Sequence, residues 1–253
     1  MSLEEVALRS LRPFALALVT VMVAVAAFPP AALAAPELPD LRMARLKDFK
    51  IETTPAGRKL LRFTTIIVNV GGGPFEVQGS RSSTSDPMTG RQCVYEGSTC
   101  TLETREVAMG WAGDGHNHFH VIGLEEYELD RLDNGALVGT GAKTGFCFYD
   151  NTAHDLSLPG APSSAVYSSC GRSTDLAVTM GLSVGWGDTY YWNLAYQWVD
   201  VTGLAAGRYR LWARADPQGW FVETDDLNNF TWVDLQLKGK GSSVRVVGYG
   251  PSG

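Results

Sequence analysis

Arg208-Tyr209-Arg210-Leu211-Trp212-Ala213-Arg214-Ala215 is the stretch that decides the fold class. Tyr209, Leu211, Ala213 and Ala215 alternate with Arg208, Arg210, Trp212 and Arg214. A period of two is that of a strand with one face on a core and the Arg face in water. Turn residues bound it, Gly203 to Gly207 before and Asp216-Pro217-Gln218-Gly219 after. Trp198 to Val201 reads as the preceding strand. Thr231 to Leu237 reads as the last clear one, with Val233, Leu235 and Leu237 on one face.

Further out the same pattern holds. Lys59 to Val70 is a strand ended by Gly71-Gly72-Gly73-Pro74, and Phe75 to Gln78 resumes extended chain. Asp133-Asn134-Gly135 is a hairpin turn signal. Its return strand runs to Val138, and Lys143 to Phe148 follows a Gly-rich turn. Gly79 to Arg91 and Asp150 to Ser169 are polar and read as surface loops. Long helical periodicity is missing from Ala35 on, and no internal repeat or linker divides the chain. The expectation is an all-β, single β-sandwich-like domain with long loops and little helix.

The chain has 253 residues and a net charge of -6. Arg9 and Arg12 precede an apolar run from Phe14 to Phe28, and Ala32-Leu33-Ala34 is an A-x-A cleavage signal. Residues 1–34 therefore read as a signal peptide and 35–253 as the mature domain. An uncleaved membrane anchor is the other reading of that run. With the signal removed, the expectation is a secreted, extracellular protein with no stable membrane association. The mildly acidic balance argues against a nucleic-acid partner. Cys93, Cys100, Cys147 and Cys170 are an even set behind an export signal, which reads as disulfides. Of the three pairings, Cys93–Cys100 with Cys147–Cys170 closes the shortest loops.

Three of the four histidines stand in Asp114-Gly115-His116-Asn117-His118-Phe119-His120. Positions i, i+2 and i+4 of a strand share a face, and three imidazoles suit Cu, Zn or Ni. On a flat strand the outer two would be about 13 Å apart, so a bend or bulge must gather His116, His118 and His120. The strand that carries them is expected to run on towards Leu129. The remaining histidine, His154, sits in a polar loop and is not counted as a ligand. Asp188 lies two residues before Tyr190, so an extended chain points both the same way, which makes Asp188 a candidate general base. An Asp shaping the turn after Gly185 and Gly187 is the alternative.

Several segments, taken in order, resemble the lysyl oxidase family over nearly all of the mature chain. They are Leu38-Pro39-Asp40-Leu41, Leu60 to Phe63, the His116 to Leu129 region and Gly141-Ala142-Lys143-Thr144-Gly145-Phe146-Cys147. Gly181 to Gly185, Asp188-Thr189-Tyr190, Gln197 to Thr202, and Glu223-x-Asp225-x-x-Asn228-Asn229 complete the series. Each is weak alone, and their joint order is specific. The resemblance implies a copper-dependent amine oxidase whose cofactor, lysine tyrosylquinone, is made from its own chain. By position the lysine is Lys143 and the tyrosine Tyr190, with copper on His116, His118 and His120. The implied reaction takes a primary amine, free or on a lysine-bearing protein, with O2 and water to aldehyde, ammonia and hydrogen peroxide. The resemblance to animal members also implies a Ca²⁺ site of six oxygens from Asp40, the Leu41 carbonyl, Glu223, Asp225, Asn228 and Asn229. An Asp/Asn-rich turn is the reading without metal.

The chain departs from the animal pattern at Trp186 and Tyr196, which stand where those enzymes carry paired cysteines, and at Gly115, which precedes the first histidine in place of Cys. Two other function classes stay open. One is an exported copper- or zinc-binding protein that never makes the quinone. The other is a non-catalytic β-sandwich adhesion module.

Overall fold

The computed structural model describes residues 36–112, 115–239 and 242–253. The expected signal peptide, residues 1–34, lies outside the described residues, as do Gly113 and Asp114 ahead of the histidines. Among the described residues there are eighteen strands and no helix. The first six are β1 (Leu41–Met43), β2 (Lys47–Thr53), β3 (Lys59–Asn69), β4 (Phe75–Ser80), β5 (Met88–Glu96) and β6 (Thr99–Leu102). Next come β7 (Val107–Trp111), β8 (Phe119–Ile122), β9 (Glu125–Arg131), β10 (Leu137–Thr140), β11 (Gly145–Phe146) and β12 (Thr152–Ala153). The last are β13 (Ala177–Leu182), β14 (Trp186–Tyr190), β15 (Trp198–Asp200), β16 (Gly207–Ala215), β17 (Phe230–Lys238) and β18 (Ser243–Tyr249).

The alternating stretch is β16, the centre of a five-stranded antiparallel sheet in the order β10-β9-β16-β17-β18. Tyr209, Leu211, Ala213 and Ala215 are at most 1% exposed. Each large apolar side chain so buried stabilises the fold by about 1.5–3 kcal/mol. On the other face the register sets Arg210 opposite Asp234 and Trp212 opposite Trp232. There Arg210 Nε donates to Asp234 Oδ1 at 2.8 Å, and the guanidinium stacks 3.7 Å from the Trp232 ring centroid. That pairing keeps an Arg-rich sheet face orderly in water.

β3 is the hub of a second sheet. Its first half pairs with β2 and β15, and its second half with β1 and β14. Both faces are covered, which is why Leu60 to Val68 is apolar or small almost without alternation. β14 then carries Asp188 and Tyr190 into the interior, with Tyr190 opposite Thr65. The third sheet runs β11-β8-β7-β5-β4-β13, with β6 on β5. Phe63, Phe75, Tyr127, Phe146 and Phe148 join the layers as one core, with Phe63 edge-on to Tyr127 at 4.9 Å.

Both expected disulfides are present, Cys93–Cys100 and Cys147–Cys170. Three expectations about elements are corrected. Gly79 to Arg91 is a loop only over residues 81–87, because β4 runs through Ser80 and β5 starts at Met88. Its glycines serve packing: Gly79 faces Gly90, and a Cβ on either would come within 2.4 and 2.8 Å of the Met109 sulfur. The histidines do not share one strand running to Leu129. Only His120 is in β8, and Gly123 at φ 79° breaks the chain before β9, which belongs to another sheet. Finally, Thr231 to Leu237 is not the last strand, since β18 follows on the sheet edge with Val244 and Val246 packed on the core. The loop after Asp150 is long, as expected. It is pinned by the buried Asp150 carboxylate, which accepts from the backbone N–H groups of Val166, Tyr167 and Ser183.

Candidate functional site

The turn between β7 and β8 gathers the histidines. Gly115 and Asn117 take positive φ, 97° and 54°, the left-handed region that Gly and Asn tolerate best. The turn is held at its base by Ala112 N–H on the His118 carbonyl, 3.0 Å, and by Phe119 N–H on the Cys170 carbonyl, 3.0 Å. The second bond ties the turn to the Cys147–Cys170 bridge. One ring nitrogen from each of His116, His118 and His120 lies within 4.8 Å of the others. His118 Nε2 and His120 Nε2 are 2.9 Å apart. His120 is 5% exposed, and its neighbour on β11 has to be Gly145, where a Cβ would fall 2.9 Å from the His120 Cβ. Three converging imidazoles form a donor set that fits Cu²⁺ or Zn²⁺.

Lys143 is carried on a short bridge between sheets. Ala142 N–H bonds the Trp198 carbonyl at 3.0 Å, and Gly123 N–H bonds the Thr144 carbonyl at 2.8 Å. The lysine is turned inward and only 5% exposed. Its Nζ lies 5.4 Å from the centroid of the Tyr190 ring and 5.4 Å from that of Phe146. Phe146 meets Tyr190 edge-on at 5.0 Å. Two residues 47 positions apart by number thus share one buried space. A cavity of about 110 Å³ is lined by His116, His118, Asp188 and Tyr190. A larger cleft, about 420 Å³, reaches His120 and Lys143 between Trp111, Ile122 and Tyr196.

Asp188 and Tyr190 do face the same way. Asp188 Oδ1 accepts from Asn151 Nδ2, and its other oxygen, Oδ2, is buried with no hydrogen-bond partner among the described residues. Burial pushes the Asp188 carboxyl well above the usual carboxylate range, with the neighbouring Tyr190 and Asn151 opposing. Burial, with Asp188 and Glu125 as negative neighbours, raises the Tyr190 phenol well above its ordinary value.

Sequence reasoning missed Glu125. It opens β9 on the same parity as Tyr127 and Leu129, so it points inward, and it is 3% exposed. A charged residue at inward parity was the available signal. Tyr127 donates to Glu125 Oε1 at 2.8 Å. A phenol has one proton, so Thr65 Oγ1 at 2.9 Å and Gln197 Nε2 at 3.1 Å act as donors to the same Tyr127 oxygen. Burial raises Glu125 to about 8, while Tyr127, Thr65 and Lys143 pull it down. Its folded value lies above its unfolded one, so the folded state binds the extra proton. The stability it contributes is present below about pH 4.5 and is lost as pH rises towards 8, at up to about 1.4 kcal/mol per unit. Urea unfolding of the metal-free chain from pH 5 to 8 should show that fall, and Glu125→Gln should lessen it. An unaltered slope in the variant would refute the assignment.

A family model described as lysyl oxidase matches residues 92–247, more than half of the chain. The chain belongs to the lysyl oxidase family. It is 29% identical over 126 residues to lysyl oxidase homolog 1 of Homo sapiens, covering 49% of this chain and 20% of that protein. It is 30% identical over 125 residues to protein-lysine 6-oxidase of Gallus gallus, covering 49% and 27%. Against lysyl oxidase homolog 4 of Homo sapiens it is 30% identical over 191 residues, covering 75% and 20%. The chain thus spans about a fifth to a quarter of the length of these three relatives.

At the other end of this lysyl oxidase domain the second expected cluster is only partly gathered. Glu223 Oε2 accepts from Leu41 N–H at 2.5 Å, and Oε1 accepts from Asn229 Nδ2 at 2.8 Å. Leu41 meets Glu223 through its N–H, not its carbonyl. Asp40 Oδ1, Asn228 Oδ1 and Asn229 Oδ1 are buried with no hydrogen-bond partner among the described residues. Orphan oxygens of that kind are the donors a hard cation takes. Asp225 is exposed and accepts from Leu227 N–H at 2.9 Å, the turn role. The aromatic residues at the positions of the animal cysteines also part company. Trp186 donates to the Pro162 carbonyl at 2.9 Å, whereas Tyr196 is 52% exposed at the cleft mouth.

Proposed function

We propose that residues 35–253 form a secreted, copper-dependent amine oxidase domain whose quinone is built from Lys143 and Tyr190. The observation that carries this reading is the approach of Lys143 Nζ to the Tyr190 ring centroid at 5.4 Å, with Tyr190 lining a cavity that His116 and His118 also line. Family membership supports amine oxidation as the reaction class. Lysyl oxidase homolog 1 of Homo sapiens and protein-lysine 6-oxidase of Gallus gallus are among its relatives. His116, His118 and His120 would hold the copper. When bound, copper supplies the redox chemistry that turns a tyrosine ring into a quinone, whose carbonyl is the electrophile for a primary amine.

The remaining roles belong to the chain. Tyr190 offers the ring and Lys143 the amine that joins it. Phe146 packs edge-on against Tyr190 and fixes the ring plane. Asp188, which lines the same cavity as Tyr190, takes up and returns a proton there; burial gives it the high proton affinity that a base near neutral pH needs. Burial of the pair also keeps bulk water from the reacting atoms. Trp111, Ile122 and Tyr196 wall the cleft that leads to Lys143, and such a wall suits the methylene chain of an alkylamine or a lysine side chain. Asp40, Glu223, Asn228 and Asn229 would hold a structural calcium ion that ties the first residues of the domain to its last strands. Dioxygen and a primary amine or lysine-bearing protein are the partners.

The test is a digest of the mature chain after copper loading in air. Mass spectrometry should find the Lys143 and Tyr190 peptides joined, and peroxide release should follow the addition of primary amines. Separate peptides with one copper bound per chain would overturn the oxidase reading and leave a metal-binding protein.

A further inference from the structure

Glu125 has no part in the reading above, yet it sits beside the atoms that must react. It is 3% exposed, and one of its oxygens, Oε1, is engaged by the Tyr127 hydroxyl. The other, Oε2, is buried with no hydrogen-bond partner among the described residues. The carboxylate and Lys143 line one cavity of about 270 Å³, together with Tyr127, Thr140 and Gly141. The charges of Glu125 and Lys143 act on one another. A carboxylate oxygen left without a donor in the interior is costly unless a proton or a cation reaches it. The cation that shares its cavity is the Lys143 side chain.

We propose that Glu125 is the proton acceptor for Lys143, taking onto Oε2 the proton that Nζ must lose before it bonds to the Tyr190 ring. This rests on the quinone reading above. The balance of the step is as follows. With copper held by His116, His118 and His120, one dioxygen would convert the Tyr190 phenol to an ortho-quinone and water. The Lys143 ammonium gives one proton to the Glu125 carboxylate and becomes a neutral amine. The nitrogen lone pair then forms the C–N bond to a ring carbon. The second nitrogen proton and the displaced ring proton pass to the two quinone oxygens, leaving an aminocatechol. A second dioxygen takes two electrons and those two protons, becoming hydrogen peroxide and leaving the quinone. The proton on Oε2 passes to water at the cavity mouth.

The surroundings suit an acceptor of this kind. Tyr127 holds Oε1 in place, and its own position is set by Thr65 on β3 and by Gln197 before β15. The titratable groups that act on this cluster are Tyr127 on β9, Lys143 on the bridge, and Asp188 and Tyr190 on β14. Burial lifts the Glu125 carboxyl to about 8, which narrows the gap in proton affinity between it and an ammonium and leaves roughly a tenth of the chains with the ionised acceptor at pH 7. Glu125 is thus a positioning and proton-accepting residue for cofactor assembly. The substrate base remains Asp188.

The experiment follows assembly in time. Metal-free mature chain, wild type and Glu125→Gln, is mixed with Cu²⁺ in air at pH 6 to 10. Copper content and the joined Lys143–Tyr190 peptide are measured at intervals. Glu125→Gln should bind copper as wild type does but form the joined peptide about 100-fold more slowly at pH 7. Its rate should recover towards wild type near pH 10, where water takes the lysine proton unaided. A merely structural glutamate would show no such recovery. Joining at the wild-type rate at pH 7 would overturn the proposal. If Glu125→Gln does not fold, Glu125→Asp decides, since a carboxylate drawn back by one methylene should slow joining at pH 7 and recover at pH 10, and a wild-type rate would again overturn it. Wild-type chain that binds copper and never forms the joined peptide would overturn the quinone reading itself, which separates the two failures.

Discussion

Lys143→Arg should bind copper as wild type does and oxidise no amine. The substitution keeps a long, positively charged side chain in a site where Lys143 is 5% exposed, so packing and local charge change little. A guanidinium is never deprotonated in a protein and has no lone pair to give the Tyr190 ring. The joined peptide should be absent. Without its cofactor the chain has none of the usual enzymatic acceleration, so amine-dependent peroxide should fall by roughly a millionfold or more, to background. Copper content, peptide mass mapping and a peroxide-coupled assay on the same preparation read all three effects. Appreciable peroxide from Lys143→Arg would mean that Lys143 is not the cofactor lysine.

His120→Ala should abolish tight copper binding. His120 is the most buried of the three and the only one fixed in a strand, opposite Gly110 on β7. Loss of an outer-shell partner alone weakens metal binding by about 10–100-fold, so loss of this donor should cost more than about 100-fold. Copper in large excess stabilises a folded chain by about 4 kcal/mol at 1,000 times its dissociation constant. The rise in melting temperature that copper gives the wild type should therefore vanish in His120→Ala. His154→Ala, in the exposed loop, should keep it. If His120→Ala still takes up one tightly bound copper per chain, the triad is not the metal site. No joined peptide should form in His120→Ala, because oxidation of Tyr190 precedes its joining to Lys143.

Legibility in the sequence followed the range of the interactions involved. β16 could be read because its alternation is local, and so could the hairpin at Asp133-Asn134-Gly135, where Gly135 takes φ 71°. The disulfide pairing followed from short loops. The ordered motifs pointed to the family, and the match over residues 92–247 bears that out. The reading erred where a local signal had a distant cause. Gly79 and Gly90 look like loop residues, but they are small because Met109 from β7 packs over them. Gly123 looks like one residue of a continuous strand, but the chain changes sheets there. β18 is an edge strand with a short, half-buried pattern, and its existence depends on β17 lying ready to pair with it.

By itself the sequence determined the fold class, the cysteine pairing and the residue types of the candidate site: three imidazoles, a lysine, a tyrosine and one acid, Asp188. The fold class and the imidazole cluster follow from side-chain chemistry and from periodicities a few residues long, and the lysine and tyrosine from the resemblance of the ordered motifs. Only the tertiary structure decided their convergence. A left-handed turn at Gly115 and Asn117 folds the histidines together. β14 brings Tyr190 across from a position 47 residues beyond Lys143, and β9 turns Glu125 into the same space. Asp225 was left to a surface turn while Glu223 and Asn229 met. The physical reason is that strand pairing and core burial act between distant parts of the chain, so which side chains share a cavity is fixed by sheet register and packing and leaves no local trace.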